Sequence, residues 1–564
     1  MNARHLSLVV VLVAAVAGCV STQGVKGHPD PRGKTATATA AATPSSTRAR
    51  VRRVVELSTV DPIINIRIAF QAGSADDPRG KEGLTRLTAN LMKEATAELD
   101  AAALTDALFP LAAELSVQVD KEAVVFIARV HSDHEAAFLK ILGDVVTRPR
   151  LDAADFTRLR DEQLAFLQST LRTGNDEALQ REALEAALYD PTRVYGAGTS
   201  SLIGGDVSPP APPELRVGDK PQGGFLFDAQ QHPYRHTPAG TVAGLKSITL
   251  NDVRAHRDAV FAVDRVVLGV SGGASSGFVD GLAAAIETLP AQSVPTVDVV
   301  TPTKPTTNKL VIIDKPSAGS AISLGFVLPA LSRSHPDYAA MKLAETWFGE
   351  HRNLIGHLFH SMREVRGLNY GDYAYVEHFL EEPGSTFERT NIPRRSQYFS
   401  IWIRPVEHKN RLFALKMATW ELSKLVDSGI ADDDSFKRVQ DFVMGYWPSK
   451  EAEPMRRLGY AMDQTLTGIP WDRAGLRDAV KKLTRADVNA AIRRHLTKTG
   501  LSFVVVTEDG AALKQSLLAK TPATIAYTGT DASVVSDNVV IGAFDLGLAA
   551  SDVVVVPPTA FFER

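Results

Sequence analysis

The sequence predicts a mixed α+β protein made of two homologous domains, and three observations support this. The segment Ile248–Val253 precedes a helical apolar pattern and then the apolar strand Arg265–Val270. The segment Leu483–Val488 precedes the same succession, which ends in the strand Leu501–Val506. A Thr-x-x-Asp pair alone is a common helix N-terminus, but here the match runs through cap, helix and strand. A proline-bearing stretch at 301–305 separates the two copies, as a linker between duplicated domains would.

Length and composition are those of a large globular protein. The chain has 564 residues, of which 44% are hydrophobic and 23% charged, so it can bury sizeable apolar cores. The net charge is −3, and the sequence has no stripe of lysine and arginine with interleaved aromatic residues. The charge pattern typical of nucleic-acid-binding proteins is therefore excluded.

The first 19 residues have the layout of a secretory signal. Arg4 gives a charged start, Leu6–Val16 is apolar apart from Ser7, and Val16–Cys19 is a region of small residues. The apolar run is shorter than the roughly 20 residues that span a bilayer. The segment resembles a bacterial lipoprotein signal, in which cleavage leaves the cysteine as the first residue, linked to diacylglycerol. The alternative is an ordinary signal peptide that contains a cysteine.

Cys19 is the only cysteine, so a disulfide within the chain is impossible. A lipid on Cys19 would hold the mature protein on the periplasmic side of the bacterial envelope, since each buried methylene contributes about 0.8 kcal/mol. Val20-Ser21 offers no acidic retention residue, which by resemblance favours the outer over the inner membrane. Residues 20–50 contain too little apolar surface to order and are predicted to be a flexible tether.

The first domain is expected at residues 51–288, where apolar patterns alternate between the periods of strands and helices. Strands are predicted in Val54–Phe70, with a turn at Asp61-Pro62, and in Val117–Val130. Helices are predicted at Gly83–Lys93, Ala101–Leu115 and Asp152–Leu188, the last interrupted at Gly174-Asn175. Residues 190–231 are rich in Gly, Pro and Ser and are predicted to be a surface insertion.

Residues 289–309 are a predicted linker, and residues 310–510 are the predicted second domain. Its predicted strands are Leu310–Ile313, Ala321–Val327 and Tyr398–Ile403, and its predicted helices are Ala339–Arg366 and Leu412–Gly429. Residues 511–564 form a C-terminal tail beyond the repeat. In this tail Val553–Val556 can add a strand to a sheet edge, and Ala560–Glu563 can anchor either in a partner's groove or on its own chain.

Several motifs resemble those of the M16 zinc peptidases, the family of pitrilysin, insulin-degrading enzyme and mitochondrial processing peptidase. In the first half they are Ala72–Pro78 with Gly83-Leu84, His232–Tyr234 and Leu245–Val253. In the second half the motif is Leu358–Tyr370. The resemblance covers residues 51–510 and includes the duplication. It implies two M16-type domains, each an antiparallel sheet with helices, which form half of a clamshell around an unfolded peptide.

The catalytic motif of that family is altered in this chain. The family carries His-x-x-Glu-His on the helix after the Gly-Leu pair, where two histidines bind zinc and the glutamate deprotonates the bound water. The corresponding residues here are Arg86, Ala89 and Asn90, and the position of the third ligand falls on Gln168. A shift of register would bring in Glu162, which restores one ligand but not the site.

The resemblance therefore predicts no zinc and no other cofactor in this chain. Arginine has no lone pair for a metal, and asparagine offers only a carbonyl oxygen, a poor match for zinc. His351, His357 and His360 share one helical stretch, but in the family this helix carries no metal. His131 and His134 are expected at the surface.

One feature of the family remains in the second half. Arg363 and Tyr370 match an Arg/Tyr pair that in the family reaches from the C-terminal half toward the scissile peptide. A guanidinium and a phenol donate hydrogen bonds to a peptide carbonyl and to the oxyanion that develops on it. The alternative is that Arg363 pairs with an acid such as Glu364 and that Tyr370 is half-buried packing.

By this resemblance the chain is a non-catalytic subunit that binds peptide as an added strand and assists a zinc-bearing M16 partner in proteolysis. Zinc is expected only in that partner, and the chain alone is expected to cleave no peptide. The alternative function is that of a structural scaffold or a peptide-binding lipoprotein of the envelope, with no role in hydrolysis.

Overall fold

A computed structural model describes residues 50–191, 232–328, 331, 334–468, 473–525 and 531–564. The predicted signal with Cys19, the tether and nearly all of the predicted insertion at 190–231 lie outside these residues. In the part of the chain that is described, no helix combines the length and the apolarity needed to cross a membrane.

The first domain is a five-stranded sheet with helices, and its strand order is β1-β5-β2-β4-β3. Its strands are β1 (Arg52–Leu57), β2 (Ile63–Phe70), β3 (Glu114–Val119), β4 (Val124–His131) and β5 (Val266–Gly272). Its helices are α1 (Leu84–Glu94), α2 (Ala101–Leu108), α3 (Glu135–Thr147), α4 (Ala153–Ala165), α5 (Asp176–Tyr189), α6 (Val242–Ser247), α7 (Leu250–Val260) and α8 (Ser276–Ile286). A π-helical segment, Phe166–Gly174, joins α4 to α5, and short 3₁₀ turns lie at Ser74–Asp76, Phe109–Leu111, Ser132–His134 and Val263–Arg265.

The second domain is a six-stranded sheet with helices, and its strand order is β11-β6-β10-β7-β9-β8. Its strands are β6 (Lys309–Asp314), β7 (Ser320–Leu328), β8 (Asp372–Tyr375), β9 (Gln397–Val406), β10 (Ser502–Thr507) and β11 (Val553–Val556). Its helices are α9 (Tyr338–Gly349), α10 (Arg411–Ser428), α11 (Asp433–Lys450), α12 (Pro454–Thr467), α13 (Arg473–Lys482), α14 (Arg485–His495), α15 (Gly510–Leu518) and α16 (Ala532–Ala543). A π-helical segment lies at Phe359–Glu364, and 3₁₀ turns lie at His408–Asn410, Ala550–Asp552 and Pro558–Ala560.

Without β11, the two sheets have the same topology. The parallel pair β1/β5 corresponds to the parallel pair β6/β10, and the remaining pairs of both sheets are antiparallel. The helix before each closing strand also begins in the same way. Thr249 and Thr484 each exchange hydrogen bonds with the aspartate three residues on, Asp252 or Asp487. The two homologous domains predicted from the sequence are confirmed.

Each domain contributes one helix to the sheet of the other. Helix α5 of the first domain packs on β7 and β10, and α12 of the second domain packs on β1, β2 and β5. Leu458 and Met462 of α12 are buried against Ala69 and Val267 of the first sheet. Because both faces of the central strands are covered, β5, β7 and β10 are buried along their whole length.

The C-terminal tail belongs to both domains. β11 pairs in parallel with β6, at the edge of the second sheet. Beyond it, Phe561 and Phe562 are buried in the core of the first domain. The amide of Val242 donates to the carbonyl of Phe562 at 2.8 Å, and Arg172 donates to the carbonyl of Phe561 at 3.1 Å. Of the two alternatives for Ala560–Glu563, the structure shows packing on the chain itself.

Three predicted elements had wrong limits. The helix predicted at Ala101–Leu115 ends with α2, because the backbone turns and Ala112 takes a left-handed conformation with φ 45°. The single strand predicted at Val117–Val130 is the antiparallel pair of β3 and β4. The helix predicted at Ala339–Arg366 breaks after α9, where Arg352 has φ 50°.

Candidate functional site

Helix α1, which carries the altered motif, begins at a fixed N-terminus. The carboxylate of Asp77 accepts hydrogen bonds from the amides of Gly83 and Thr85, both at 2.7 Å. Gly83 has φ 102°, a left-handed conformation that favours glycine. Because the carboxylate binds free amides at the positive end of the helix, it determines where α1 starts.

Two uncharged histidines and a close backbone contact also hold the N-terminus of α1. Together with Asp77 and Gly83 they form what is called here the frame of α1. Nε2 of His236 lies 3.2 Å from Asp77, and Nε2 of His256 lies 2.8 Å from the hydroxyl of Thr85. Burial lowers the pKa of His236 to about 3 and that of His256 to about 4, and it raises the pKa of Asp77 to about 6. Gly73, in the motif Ala72–Pro78 that also contains Asp77, lies close to the backbone of Lys121. A Cβ atom at this position would come within 2.3 Å of that backbone.

Gln163 of α4 holds the start of α1 from the side. Its Nε2 donates to the carbonyls of Gly83 at 3.1 Å and Ala239 at 2.9 Å. Glu162 is exposed, and its carboxylate accepts a hydrogen bond from Arg158 at 3.0 Å. Gln168 is exposed in the π-helical segment. Neither of the two positions considered for a third ligand presents a carboxylate to α1.

The three motif positions on α1 have different surroundings. Ala89 is fully buried in the core of the first domain. Arg86 is half-buried, and its guanidinium carbon lies 5.0 Å from the ring centroid of Phe166. Asn90 is also half-buried. The aromatic face therefore holds the cation of Arg86 in place.

This set of side chains does not fit a catalytic zinc ion. Zinc takes nitrogen, sulfur or carboxylate ligands, and its catalytic form needs three of them. Arg86 has no lone pair, Asn90 offers only an amide, and the methyl group of Ala89 cannot act as a base. No step of hydrolysis can therefore be assigned to these residues.

Arg363 and Tyr370 lie together just before β8. The guanidinium carbon of Arg363 is 4.7 Å from the ring centroid of Phe359 and 5.9 Å from that of Tyr370. Tyr370 is 75% exposed. Glu364, the acid considered as a partner for Arg363, instead binds His360 at 2.6 Å. Within the described chain, the guanidinium of Arg363 has no hydrogen-bond acceptor.

A buried carboxyl group lies close to this pair. One oxygen of Asp372 accepts a hydrogen bond from the side chain of Asn369 at 2.7 Å, and the other has no partner among the described residues. Burial raises the pKa of Asp372 to about 8, although Asn369 and Arg363 act in the opposite direction. Asp372 is therefore mostly protonated at neutral pH.

His351, His357 and His360 do not converge on one point. Each binds a different acid: His351 binds Glu381 at 2.7 Å, His357 binds Glu421 at 2.9 Å and His360 binds Glu364 at 2.6 Å. In the first domain His131 and His134 are not buried, and their ring centroids are 6.4 Å apart.

One group of three side chains among the described residues has possible metal ligands within 4.8 Å of one another: His335, Asp337 and His495. Each of the three side chains already takes part in a hydrogen bond. Arg494 donates to both oxygens of Asp337 at 2.7 and 2.8 Å and lowers the pKa of this carboxyl to about 2, and Nε2 of His495 lies 2.7 Å from it. Nδ1 of His335 accepts the amide of Asp337 at 3.1 Å. These hydrogen bonds tie the start of α9 to α14 and occupy the carboxylate of Asp337 that a metal would need.

Buried ion pairs hold the loop before β9 against the first domain. Arg394 donates to Asp120 at 2.7 and 2.9 Å and to Glu185 at 2.9 Å. Lys121 pairs with Glu185 at 2.9 Å. Burial opposes the charge of Glu185, but Arg394 and Lys121 lower its pKa. These contacts fix the loop of the second domain beside the first sheet.

Sequence reasoning missed three residues around Arg86. Phe166 contacts its guanidinium, and Glu182 of α5 and Arg389 of the second domain act on its charge. Burial lowers the pKa of Arg86, Glu182 raises it, and the like charge of Arg389 lowers it further. The sequence predicts the helix break at Gly174-Asn175 that precedes α5, but no local pattern connects Glu182 or Arg389 to α1.

Comparisons with known sequences define the class of both domains. The family described as insulinase (Peptidase family M16) matches residues 53–195, and the peptidase M16 inactive domain matches residues 247–430. The protein thus consists of two M16-type domains. It belongs to the M16 peptidase family, with an inactive-type C-terminal domain.

Solved structures share this fold. A peptidase M16 inactive domain from Pseudomonas fluorescens is 21% identical with a TM-score of 0.65, over 82% of this chain and 97% of that one. A protease from Helicobacter pylori is 13% identical with a TM-score of 0.62, over 81% and 97%. A chain of complex III2 from Candida albicans is 13% identical with a TM-score of 0.56, over 81% and 94%. At these identities the likeness shows the fold alone. No curated protein matches the sequence.

Proposed function

We propose that this chain is a non-catalytic, peptide-binding subunit that assists a zinc-bearing M16 partner in proteolysis. The observation that carries the proposal is a contrast within α1. The frame that positions the helix, built around Asp77 and Gly83, is complete. The positions of the zinc motif, however, hold Arg86, Ala89 and Asn90. The fold is thus kept for a purpose other than zinc hydrolysis by this chain.

The edge of the first sheet supports peptide binding. β3 is the last strand of this sheet, and β4 is the only described strand that pairs with it. Helix α1 packs against β3, so a peptide on this edge lies beside the altered motif. An extended peptide gains main-chain hydrogen bonds when it adds to a sheet edge as a further strand. The proposed substrate is therefore an unfolded peptide bound along β3.

Arg363 and Tyr370 would act on the substrate of the partner. Tyr370 is largely exposed, and Arg363 is held by aromatic rings without using its N–H groups. Placed at the zinc of the partner, the two donors would stabilise the oxyanion that forms during peptide cleavage. The zinc and the general base would come from the partner alone.

The test compares the chain with and without a zinc-bearing M16 partner. Alone, it should cleave no peptide and bind no stoichiometric zinc. With the partner, Arg363→Ala should slow cleavage about a hundredfold, the effect of losing one oxyanion donor. Arg493→Ala, at an exposed arginine of α14, is the matched control and should leave the rate unchanged. Chelator-sensitive hydrolysis by the chain alone would overturn the proposal.

For the location, we propose a lipid anchor at Cys19 on the periplasmic side of the envelope, with the outer membrane favoured over the inner. The support is the order of charged, apolar and small residues before Cys19. Cys19→Ser should release the protein from the membrane fraction and abolish incorporation of labelled fatty acid. Unchanged membrane association and labelling would contradict the anchor.

A structural role is the second candidate. One neighbour in fold is a chain of complex III2 from Candida albicans. A similar role here would be that of a scaffold or peptide-binding receptor in the envelope. It would be favoured if the Arg363→Ala/Tyr370→Phe double variant supported the partner as well as the unmodified chain does.

A further inference from the structure

We propose that the open edge of β1 binds an extended, branched apolar segment of a partner protein, which adds to the first sheet as a strand parallel to β1. Among the described strands, β1 pairs with β5 alone. The second sheet shows the proposed arrangement within the same chain, because β11 is added in parallel to β6, the counterpart of β1. Since β1 and β3 are opposite ends of the first sheet, this site is separate from the peptide site proposed at β3, and binding at one does not depend on binding at the other.

The two edge strands have the same register on their neighbours. Arg53 of β1 lies opposite Leu268, and Leu310 of β6 lies opposite Phe503. Leu268 and Phe503 stand at the same distance in sequence from the cap threonine of the preceding helix, so they are equivalent positions of the repeat. The four residues of β6 that pair with β11 are therefore equivalent to Arg53–Glu56 of β1.

The hydrogen bonds at the ends of β1 and β6 show which main-chain groups face the edge. The amide of Ser58 donates to the carbonyl of Gly272 at 2.8 Å, and at the equivalent position the amide of Lys315 donates to the carbonyl of Thr507 at 3.0 Å. In a parallel pair, every second residue of a strand directs both its N–H and its C=O group to the same neighbouring strand. The intervening residues of β1 therefore direct these groups to the open edge. They are Arg53, Val55 and Leu57.

The side chains at this edge are apolar and exposed. Val55 is 43% exposed and Leu57 is 47% exposed, whereas Ile312, the counterpart of Val55, is fully buried in the strand that β11 covers. Arg53 pairs with Asp280 of α8 at 2.6 Å, so its charge is already matched within the chain. An open edge with apolar side chains is a template for pairing with a further strand. An added strand would bind the free main-chain groups of β1 and cover these side chains.

The second sheet also indicates the chemistry and the direction of the added strand. β11 consists of four valines without a charged residue, and it runs parallel to β6. Strand β1 of a second copy would pair with β1 in antiparallel, because a two-fold axis relates the two strands. The branched strand of a second copy, its β11, is already paired with its own β6. The occupant is therefore a branched apolar segment of a different protein.

Two synthetic peptides with an N-terminal fluorophore test this proposal by anisotropy with the full chain. The first has the sequence of Ala550–Pro558, which contains the four valines of β11. The control has the same composition, but one of its prolines is moved between the second and the third valine, where it interrupts main-chain pairing. We expect the first peptide to bind at least about tenfold more tightly, which corresponds to about one hydrogen bond.

A proline in β1 connects the binding to its open edge. Val55→Pro removes an N–H group that faces this edge but keeps the hydrogen bonds between β1 and β5, so the variant should fold, as circular dichroism would show. It should bind the first peptide at least about tenfold more weakly than the unmodified chain does. Val60→Ala is the matched control, because Val60 is 90% exposed and lies outside β1, and it should leave binding unchanged.

Amide hydrogen exchange of the unmodified chain locates the bound peptide without any variant. We expect the first peptide to slow exchange at Val55 and Leu57. Slower exchange on β3 or β6 instead, or binding that persists in folded Val55→Pro, overturns the site at β1. Equal binding of the two peptides, or no binding of either, overturns strand addition. A dimer of the unmodified chain in sedimentation that Val55→Pro abolishes overturns the different protein as occupant in favour of a second copy.

Discussion

The two domains share one strand order, but their sheets end differently. The first sheet ends in β1 and β3, while the second ends in β8 and in an added strand, β11. β11 covers β6, the counterpart of β1, and no described strand covers β1 in the same way. The repeat therefore accounts for the shared core of both domains, whereas the segment after the repeat makes them different.

This same segment ties the two copies together. After β11 the chain crosses to the first domain, where Phe561 is 5% exposed and the carboxylate of Glu563 pairs with Arg172 at 2.7 Å. The amides of Val242 and Ala243, at the start of α6, donate to carbonyls of the same segment. A tail that lies outside the duplication thus stabilises the contact between its products.

The largest expected effect comes from removing the contact between the C-terminal segment and the core of the first domain. Phe561→Ala should lower the free energy of unfolding by about 3–5 kcal/mol, since it empties a buried aromatic site. Phe109→Ala is the matched control, because Phe109 is 86% exposed and should change stability little. Equilibrium unfolding in urea measures both. Equal, small losses in the two variants would show that the tail does not contribute to the fold of the first domain.

The repeated part of the fold could be predicted because its signals are local. The caps at Thr249 and Thr484 lie within four residues of their partners, and the strands that follow are continuous apolar runs. The sequence indicated that Val553–Val556 can join a sheet edge but could not show which one, since the run fits any open edge. The turn between β3 and β4 was missed because both strands are rich in branched residues.

The candidate site also has one part that the sequence predicts and one part that it does not. The replacement of the zinc motif at Arg86 and Asn90 is visible in a short segment of sequence. The surroundings of Arg86 depend on the packing of α5 and of the loop before β9, which come from distant parts of the chain. Sequence patterns carry no information about such contacts, because they depend on how the two domains meet.

The second prediction concerns the frame of α1. Asp77→Ala should lower the free energy of unfolding by about 2–3 kcal/mol, because it leaves the buried amides of Gly83 and Thr85 without an acceptor. Asp77→Asn should recover part of this loss, since its amide oxygen still accepts one of the bonds. Thermal unfolding measures both variants. An Asp77→Ala protein as stable as the unmodified chain would show that α1 does not depend on this cap.

The third prediction concerns the buried carboxyl of Asp372 in the second domain. Replacing it should raise the free energy of unfolding, whereas replacing Asp77 by alanine should lower it. Asp372 has one oxygen without a partner in the described chain, and its pKa is raised to about 8. The carboxyl loses its proton near pH 4 in the unfolded chain but only near pH 8 in the folded protein. The free energy of unfolding therefore falls as the pH rises from about 4 to about 8. Asp372→Asn removes this dependence and should be more stable by at least about 1 kcal/mol at pH 8.

Urea unfolding of both proteins at pH 5 and at pH 8 measures this effect. The advantage of Asp372→Asn should be larger at pH 8 than at pH 5. An advantage that does not change with pH would contradict the raised pKa of Asp372.

The smallest expected difference separates the two equivalent helix caps. Thr249→Ala should lower the free energy of unfolding by about 1 kcal/mol, and Thr484→Ala by about 0.5 kcal/mol. The reason is the aspartate that each threonine contacts. Asp252 is buried and also binds Lys81 at 2.8 Å, whereas Asp487 is exposed and keeps access to water when the hydroxyl is removed. Urea unfolding of the two variants should therefore rank Thr249→Ala as the less stable, and the reverse order would show that burial of the cap does not determine its contribution.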